Sequence, residues 1–163
     1  MSSFQEIDIL YAEDSPTDAE VTMRALKKAN LGNNLLWVKD GQEALDVLLG
    51  RGQYAERLRT SPRLVLLDLK MPKVDGLEVL RTIRSTDSLR AIPVVMLTSS
   101  AEESDLAKSY ELGINSYIVK PIDFTSLSDA VARLGYYWVA MNRLAESTVC
   151  ALSPPFDCCS SKT

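Results

Sequence analysis

The sequence predicts an α/β fold in which a parallel sheet is covered by helices on both faces. Short apolar runs alternate with longer segments whose apolar residues recur every three or four positions, as in repeated βα units. Four of the apolar runs end directly before a residue that can bind a cation or a phosphoryl group. In an open parallel sheet, ligands bind beyond the carboxyl ends of the strands, so we expect these residues to meet at one site.

The first βα unit has clear start and stop signals. The run at 7–12 is predicted to be a strand, and Ser15 followed by Pro16 supplies an N-cap hydroxyl and a residue suited to the first helical turn. Residues 30–32 are predicted to end the helix. The predicted apolar stripe comprises Ala19, Met23, Leu26 and Ala29.

The second unit is followed by an irregular basic segment. After a strand at 35–39, Asp40 and Glu43 have the spacing of a capping box before an apolar helix. The segment 50–63 carries four arginines, lacks clear periodicity and exceeds the usual length of a connection in α/β proteins. We interpret it as a solvated surface excursion, with partner recognition as the alternative.

Three further units complete the predicted sheet. Strands are expected at 64–67, 92–97 and 116–119, and the first of these is wholly apolar, as in strands buried on both faces. The next two helices contain apolar residues at helical spacing: Leu77, Leu80 and Ile83, then Leu106, Ala107 and Tyr110. The last helix has the stripe Leu127, Val131, Leu134, Trp138 and Met141.

Composition limits the domain count and the function. The 163-residue chain, with 46% hydrophobic and 25% charged residues, is expected to form one domain at 1–145 followed by a disordered tail at 146–163. A net charge of −4 argues against nucleic-acid binding, and no apolar run is long enough to cross a bilayer, so we expect no membrane contact and a cytoplasmic location. Histidine is absent, which excludes histidine-based catalysis and zinc sites within this chain.

The residues that can carry chemistry lie at the predicted strand ends. Glu13 and Asp14 follow the first strand, Asp68 the third, Thr98 the fourth and Lys120 the fifth. Three nearby carboxylates repel one another, so a cation must be present, and Mg²⁺ suits a site built of oxygen atoms. A carboxylate can attack phosphorus and form an aspartyl phosphate, and Asp68 is the candidate nucleophile.

This ordered set resembles a known family. Over about 7–141 the chain is similar to the response-regulator receiver domain of two-component signalling, on Glu13-Asp14, Asp68 within D-L-K-M-P-K-V-D-G, Thr98-Ser99, and Lys120-Pro121 preceded by Tyr117. The resemblance implies a flavodoxin-like (βα)5 doubly wound parallel sheet with strand order 2-1-3-4-5. The segment 50–63 and the run Leu134-Gly135-Tyr136-Tyr137-Trp138 further resemble the stand-alone regulators of phytochrome kinases.

The resemblance also implies the cofactor, the partner and the acceptor. Asp68 would accept a phosphoryl group from a sensor histidine kinase, expected to be of the phytochrome type, with Mg²⁺ as cofactor. Asp14 and Asp68 would bind Mg²⁺ directly, Glu13 would act through water, and the backbone carbonyl of Lys70 would complete the protein ligands. Such a protein is a phosphoacceptor with self-phosphorylation and autodephosphorylation chemistry and is otherwise not an enzyme.

Signal output would depend on a second group of residues. Lys120 and Thr98 would contact the phosphoryl oxygens, and Thr98 together with Tyr117 would form the switch. Tyr136 and Tyr137 precede a tryptophan of the predicted buried stripe, so at least one of these three aromatics must face outward. We therefore expect a homodimer through the face of the fourth helix, fifth strand and fifth helix.

Two other functions fit parts of the sequence. A haloacid dehalogenase-type phosphatase also uses a nucleophilic aspartate and Mg²⁺, but its general acid two residues after the nucleophile is replaced here by Lys70. A degenerate receiver would act only as a binding module, against which the intact Asp14, Asp68, Thr98 and Lys120 argue.

Overall fold

The computed structural model describes residues 6–31, 33–55, 61–120, 123–135 and 137–138. The strands are β1 (Ile9–Ala12), β2 (Leu35–Val38), β3 (Leu64–Leu67), β4 (Val94–Thr98) and β5 (Ser116–Val119). The α-helices are α1 (Pro16–Lys28), α2 (Gly41–Leu49), α3 (Gly76–Ser85), α4 (Glu103–Glu111) and α5 (Phe124–Gly135). The predicted tail at 146–163 lies outside the described residues, as do Tyr136 and Met141.

All five strands are parallel and lie in the order β2-β1-β3-β4-β5, which confirms the predicted flavodoxin-like sheet. β1 and β3 are neighbours, and Ala12 pairs with Leu67 at their carboxyl ends. The strand order reverses at this pair, so a crevice for ligands is expected beyond it. Glu13 and Asp68 are the next residues of the two strands, and they leave the sheet side by side.

The core has two layers, one on each face of the sheet. Successive residues of a strand point to opposite faces, so each strand contributes to both layers. Leu10, Val65 and Met96 pack on the face covered by α2 and α3. Ile9 and Leu66 pack on the opposite face, which α1 and α5 cover. All four residues of β3 are buried, as predicted.

The helix starts follow the sequence signals. Ser15 accepts a hydrogen bond from the backbone N–H of Asp18 at 3.3 Å. Asp40 accepts one from Glu43 at 2.8 Å, and the Glu43 carboxylate in return accepts the N–H of Lys39 at 3.2 Å, one residue before the cap. These local bonds satisfy N–H groups that have no partner within the helix, and they fix where α1 and α2 begin.

Two local predictions differ from the structure. The buried face of α1 consists of Ala19, Thr22, Ala25 and Leu26, whereas Met23 and Ala29 are only partly buried. The segment after α2 opens with a 3-10 turn at Gly52–Tyr54, and Tyr54 is buried with its hydroxyl donating to Glu43 at 2.8 Å. The start of this segment is therefore anchored to α2 rather than simply solvated.

No helix in the described part of the chain is both long enough and apolar enough to cross a membrane.

Candidate functional site

Three carboxylates converge at the carboxyl ends of β1 and β3. Glu13, Asp14 and Asp68 each offer one oxygen, and these oxygens lie within 4.8 Å of one another. Glu13 is fully buried, Asp68 is 7% exposed and Asp14 is exposed, so the cluster opens to solvent on the Asp14 side. At 4.8 Å and an effective dielectric near 20, two such charges repel by about 3.5 kcal/mol. The donor atoms are all oxygens, and their negative charges repel one another when no cation is bound. The set therefore fits a hard divalent cation.

Glu13 is held by donors on both of its oxygens. Oε1 accepts a hydrogen bond from the backbone N–H of Ser15 at 3.1 Å. Oε2 accepts one from the ammonium of Lys120 and another, at 3.3 Å, from the hydroxyl of Tyr11. Burial and, to a smaller extent, the charge of Asp68 nevertheless raise the pKa of Glu13 to about 7, against the lowering effect of Lys120 and Ser15.

Lys120 brings a positive charge to the cluster. Its Nζ lies 2.5 Å from Glu13 Oε2, 3.0 Å from Asp18 Oδ2 and 3.8 Å from Asp68 Oδ2. Burial by itself lowers the pKa of Lys120, but its contacts with Glu13, Asp18 and Asp68 outweigh this and raise it. The ammonium is therefore charged and adjacent to the candidate nucleophile.

Asp18 is a site residue that was not predicted from the sequence. It lies in the first turn of α1, where its carboxylate faces Lys120. The position of Asp18 in the sequence could have indicated its role. A helix that begins directly after β1 places its first turn over the carboxyl edge of the sheet. An acid there is a candidate neighbour of the other strand-end residues.

The β3–α3 connection fixes the backbone around Asp68. Asp68 Oδ1 accepts the N–H of Leu69 at 2.8 Å, and the N–H of Gly76 donates to the Leu69 carbonyl at 2.7 Å. A Cβ at Gly76 would come within 2.3 Å of the Asp68 carbonyl oxygen, so only glycine fits without a shift. Lys70 lies in this connection with an exposed side chain.

Thr98 and Tyr117 are linked through Ser100. Thr98 is 1% exposed, and its Oγ1 accepts the backbone N–H of Ser100 at 3.2 Å. The Tyr117 hydroxyl donates to the Ser100 carbonyl at 2.9 Å, and the Ser100 hydroxyl donates to Asp105 of α4 at 2.6 Å. Thr98 is also bonded to the residue that follows β5, since its carbonyl accepts a hydrogen bond from the backbone N–H of Lys120 at 2.7 Å. The roles of Ser100 and Asp105 in this chain of bonds were not predicted.

Large apolar side chains are exposed on α4, β5 and the segment after α5. They are Leu106 at 38%, Tyr110 at 53%, Val119 at 44% and Tyr137 at 51%. The apolar residues predicted for the fourth helix thus face away from the core, and the described buried residue of α4 is Ser109. Tyr137 contacts Trp138 edge to face at 5.1 Å, and Trp138 packs against the core as predicted.

The fold and these strand-end residues together define the class of the protein. The model of the response regulator receiver domain family matches residues 9–132, and the chain belongs to this family. The most informative relatives are regulators of similar length. The chain is 43% identical over 138 residues to the probable methanogenesis regulatory protein FilR2 of Methanothrix harundinacea, covering 83% of this chain and 85% of the relative.

Within the family, the chain is similar to regulators associated with phytochromes. It is 38% identical over 131 residues to response regulator Rcp1 of Synechocystis, covering 80% of this chain and 88% of the relative. The Mn²⁺-bound structure of Rcp1 superposes with a TM-score of 0.77 at 36% identity, covering 85% of this chain and 98% of that one. The bacteriophytochrome response regulator AtBRR superposes with a TM-score of 0.68 at 52% identity, covering 85% and 99%.

Proposed function

We propose that this chain is a single-domain response regulator that accepts a phosphoryl group on Asp68 and thereby changes its protein contacts. The observation that carries the proposal is the convergence of three carboxylate oxygens within 4.8 Å, with the Lys120 ammonium 3.8 Å from Asp68. A nucleophile, an oxygen-lined cation site and a positive charge for the transferred group are thus together in one crevice.

Phosphoryl transfer to Asp68 requires alignment more than new covalent chemistry. A carboxylate oxygen of Asp68 forms a bond to phosphorus while the bond from phosphorus to the donor atom breaks, and that electron pair leaves with the donor. The N–H of Leu69 orients the Asp68 carboxylate, and Lys120 with Thr98 can hydrogen-bond the phosphoryl oxygens. The site thereby stabilises the negative charge that it gains.

Mg²⁺ would be held by Asp14, Asp68 and the carbonyl of Lys70, and when bound it neutralises charge on the carboxylates and the phosphoryl group. Glu13 already accepts three hydrogen bonds from protein groups, which supports a contact through water rather than a direct bond. The Mn²⁺-bound form of the similar protein Rcp1 supports a divalent cation here.

The switch would pass through Ser100. If the Thr98 hydroxyl turns toward a phosphoryl group, the N–H of Ser100 loses its acceptor and the β4–α4 connection is free to move. The carbonyl of Ser100 holds the Tyr117 hydroxyl, so this movement would release Tyr117 as well. Phosphorylation would thus shift a balance between two arrangements that both exist without it.

If the phosphodonor is a phosphohistidine, that residue must belong to another chain, because this sequence contains no histidine. A sensor histidine kinase of the phytochrome type is the expected donor, supported by the similarity to AtBRR and Rcp1. We also propose a cytoplasmic location and no contact with nucleic acid, in line with the net charge of −4.

A homodimer would use the α4-β5-α5 face. The exposed side chains of Leu106, Tyr110, Val119 and Tyr137 lie on the elements of this face or just beyond them. Tyr136, the other predicted interface residue, lies outside the described residues. Light scattering with and without a phosphate mimic tests this interface, and a monomer under both conditions would contradict it.

The central experiment is incubation with acetyl phosphate and Mg²⁺ followed by intact-mass measurement. We expect one phosphoryl group on the wild type and on Asp75→Asn, and none on Asp68→Asn. Asp75 is a matched control because it lies in the same connection and caps α3, a role that asparagine also fills. Label on Asp68→Asn would refute the nucleophile, and an unlabelled wild type would favour a degenerate binding module. Transfer from a phytochrome-type histidine kinase tests the narrower partner.

A further inference from the structure

The ammonium of Lys120 contacts three carboxylates, which differ in whether they belong to the carboxylate cluster. Glu13 and Asp68 belong to the cluster that a divalent cation would neutralise, whereas Asp18 comes from α1 and is not part of that cluster. Asp18 Oδ2 nevertheless lies 3.0 Å from Lys120 Nζ, closer than Asp68 Oδ2 at 3.8 Å. In this arrangement Lys120 hydrogen-bonds Glu13 and Asp18, whereas its contact with the nucleophile Asp68 is a longer ion pair.

This geometry creates a competition. An ammonium group has three protons to donate; Glu13 accepts one and Asp18 another, and the proton given to Asp18 is not available to an oxygen of the incoming phosphoryl group. A divalent cation that neutralises the carboxylate cluster would weaken the electrostatic attraction of Glu13 and Asp68 for Lys120. It would leave the attraction between Asp18 and Lys120 unchanged. We propose that Asp18 is a positioning residue that restrains Lys120 and so slows phosphorylation of Asp68; this inference rests on the proposed function.

The exposure of the pair sets the size of the effect. The Lys120 side chain is 9% exposed, but that of Asp18 is 47% exposed, so solvent screens their attraction. Partly exposed ion pairs of this kind correspond to a factor of about two to five in an equilibrium or rate. Asp18 would thus tune the response rather than decide whether it occurs.

The first test is the rate of Asp68 labelling by acetyl phosphate at saturating Mg²⁺, followed by intact mass. We expect Asp18→Asn to be labelled about two- to fivefold faster than the wild type and Asp18→Glu to restore the slow rate. Glu20→Gln is the matched control: it removes the same charge from the same helix, at a residue paired with Arg24, and should behave as the wild type. Equal or slower labelling of Asp18→Asn, or the same acceleration in Glu20→Gln, would overturn the inference.

The second test needs no metal and no phosphodonor. Unfolding of the metal-free protein is measured for Asp18→Asn in the wild-type background and in Lys120→Gln. We expect the effect on the unfolding equilibrium constant to differ about two- to fivefold between backgrounds, in the direction of an Asp18–Lys120 attraction. Equal effects would overturn the contact itself. An unlabelled wild type would refute the proposed function and this inference with it, whereas a labelled wild type that Asp18→Asn does not accelerate would refute this inference alone.

Discussion

Replacing Asp14 by asparagine tests the electrostatics of the carboxylate cluster directly. The Asp14 oxygen lies within 4.8 Å of those of Glu13 and Asp68, and its side chain is exposed. Repulsion between two charges at that distance is about 0.9 kcal/mol in water and about 3.5 kcal/mol at an effective dielectric of 20. Because Asp14 faces solvent, the lower figure applies, and relief from two neighbours amounts to about 1 to 2 kcal/mol.

We therefore expect metal-free Asp14→Asn to be more stable than the wild type. For a domain of this size the gain corresponds to a Tm increase of about 2 to 8 °C. Mg²⁺ should stabilise the wild type but have little effect on the variant, which has lost a ligand. The two effects have opposite signs, so one variant distinguishes relieved repulsion from general damage.

Thermal unfolding and metal titration, both followed by tryptophan fluorescence, provide the assay. Trp37 is a local reporter because its indole N–H donates to the backbone carbonyl of Glu13 at 2.9 Å. Asp129→Asn removes an exposed charge from α5 and serves as the control. A variant that is less stable than the wild type without metal, or that responds to Mg²⁺ as the wild type does, would refute the reasoning.

Three further predictions concern protonation, a partly buried cation and a close backbone contact. Since burial raises the pKa of Glu13 from 4.5 to about 7, its contribution to metal-free stability is present below about pH 4.5 and is lost as the pH rises through about 7. Mg²⁺ affinity should rise as the pH passes through about 7, by about tenfold from pH 6 to 8, and a flat titration profile would contradict this. Arg84 donates hydrogen bonds to three backbone carbonyls and to the side chain of Asn115. Arg84→Ala should therefore lower the free energy of unfolding, measured by urea titration, by about 3 kcal/mol. Arg84→Lys should recover only part of the lost stability. Gly76→Ala should cost about 1 to 3 kcal/mol, because its Cβ would press on the carbonyl of Asp68; wild-type stability and labelling would show that the connection yields easily.

Local sequence patterns predicted the secondary structure well because the signals involve neighbouring residues. The N-caps at Ser15 and Asp40 bond to N–H groups three residues later, and such bonds need no distant partner. The wholly apolar run of β3 predicted burial on both faces for the same reason. The α4 residues Leu106 and Tyr110 show the limit, since helical spacing does not say which side of a helix meets the core.

Sequence by itself determined that acids, a hydroxyl and a lysine end successive strands, and the rule for parallel sheets then predicted where they meet. Only the tertiary structure decided how they pair. Asp18 and Lys120 are 102 positions apart, and Arg84 reaches acceptors in two separate connections. Such contacts depend on how the helices pack on the sheet. That packing is the sum of many weak contacts across the chain and does not follow from a local sequence pattern.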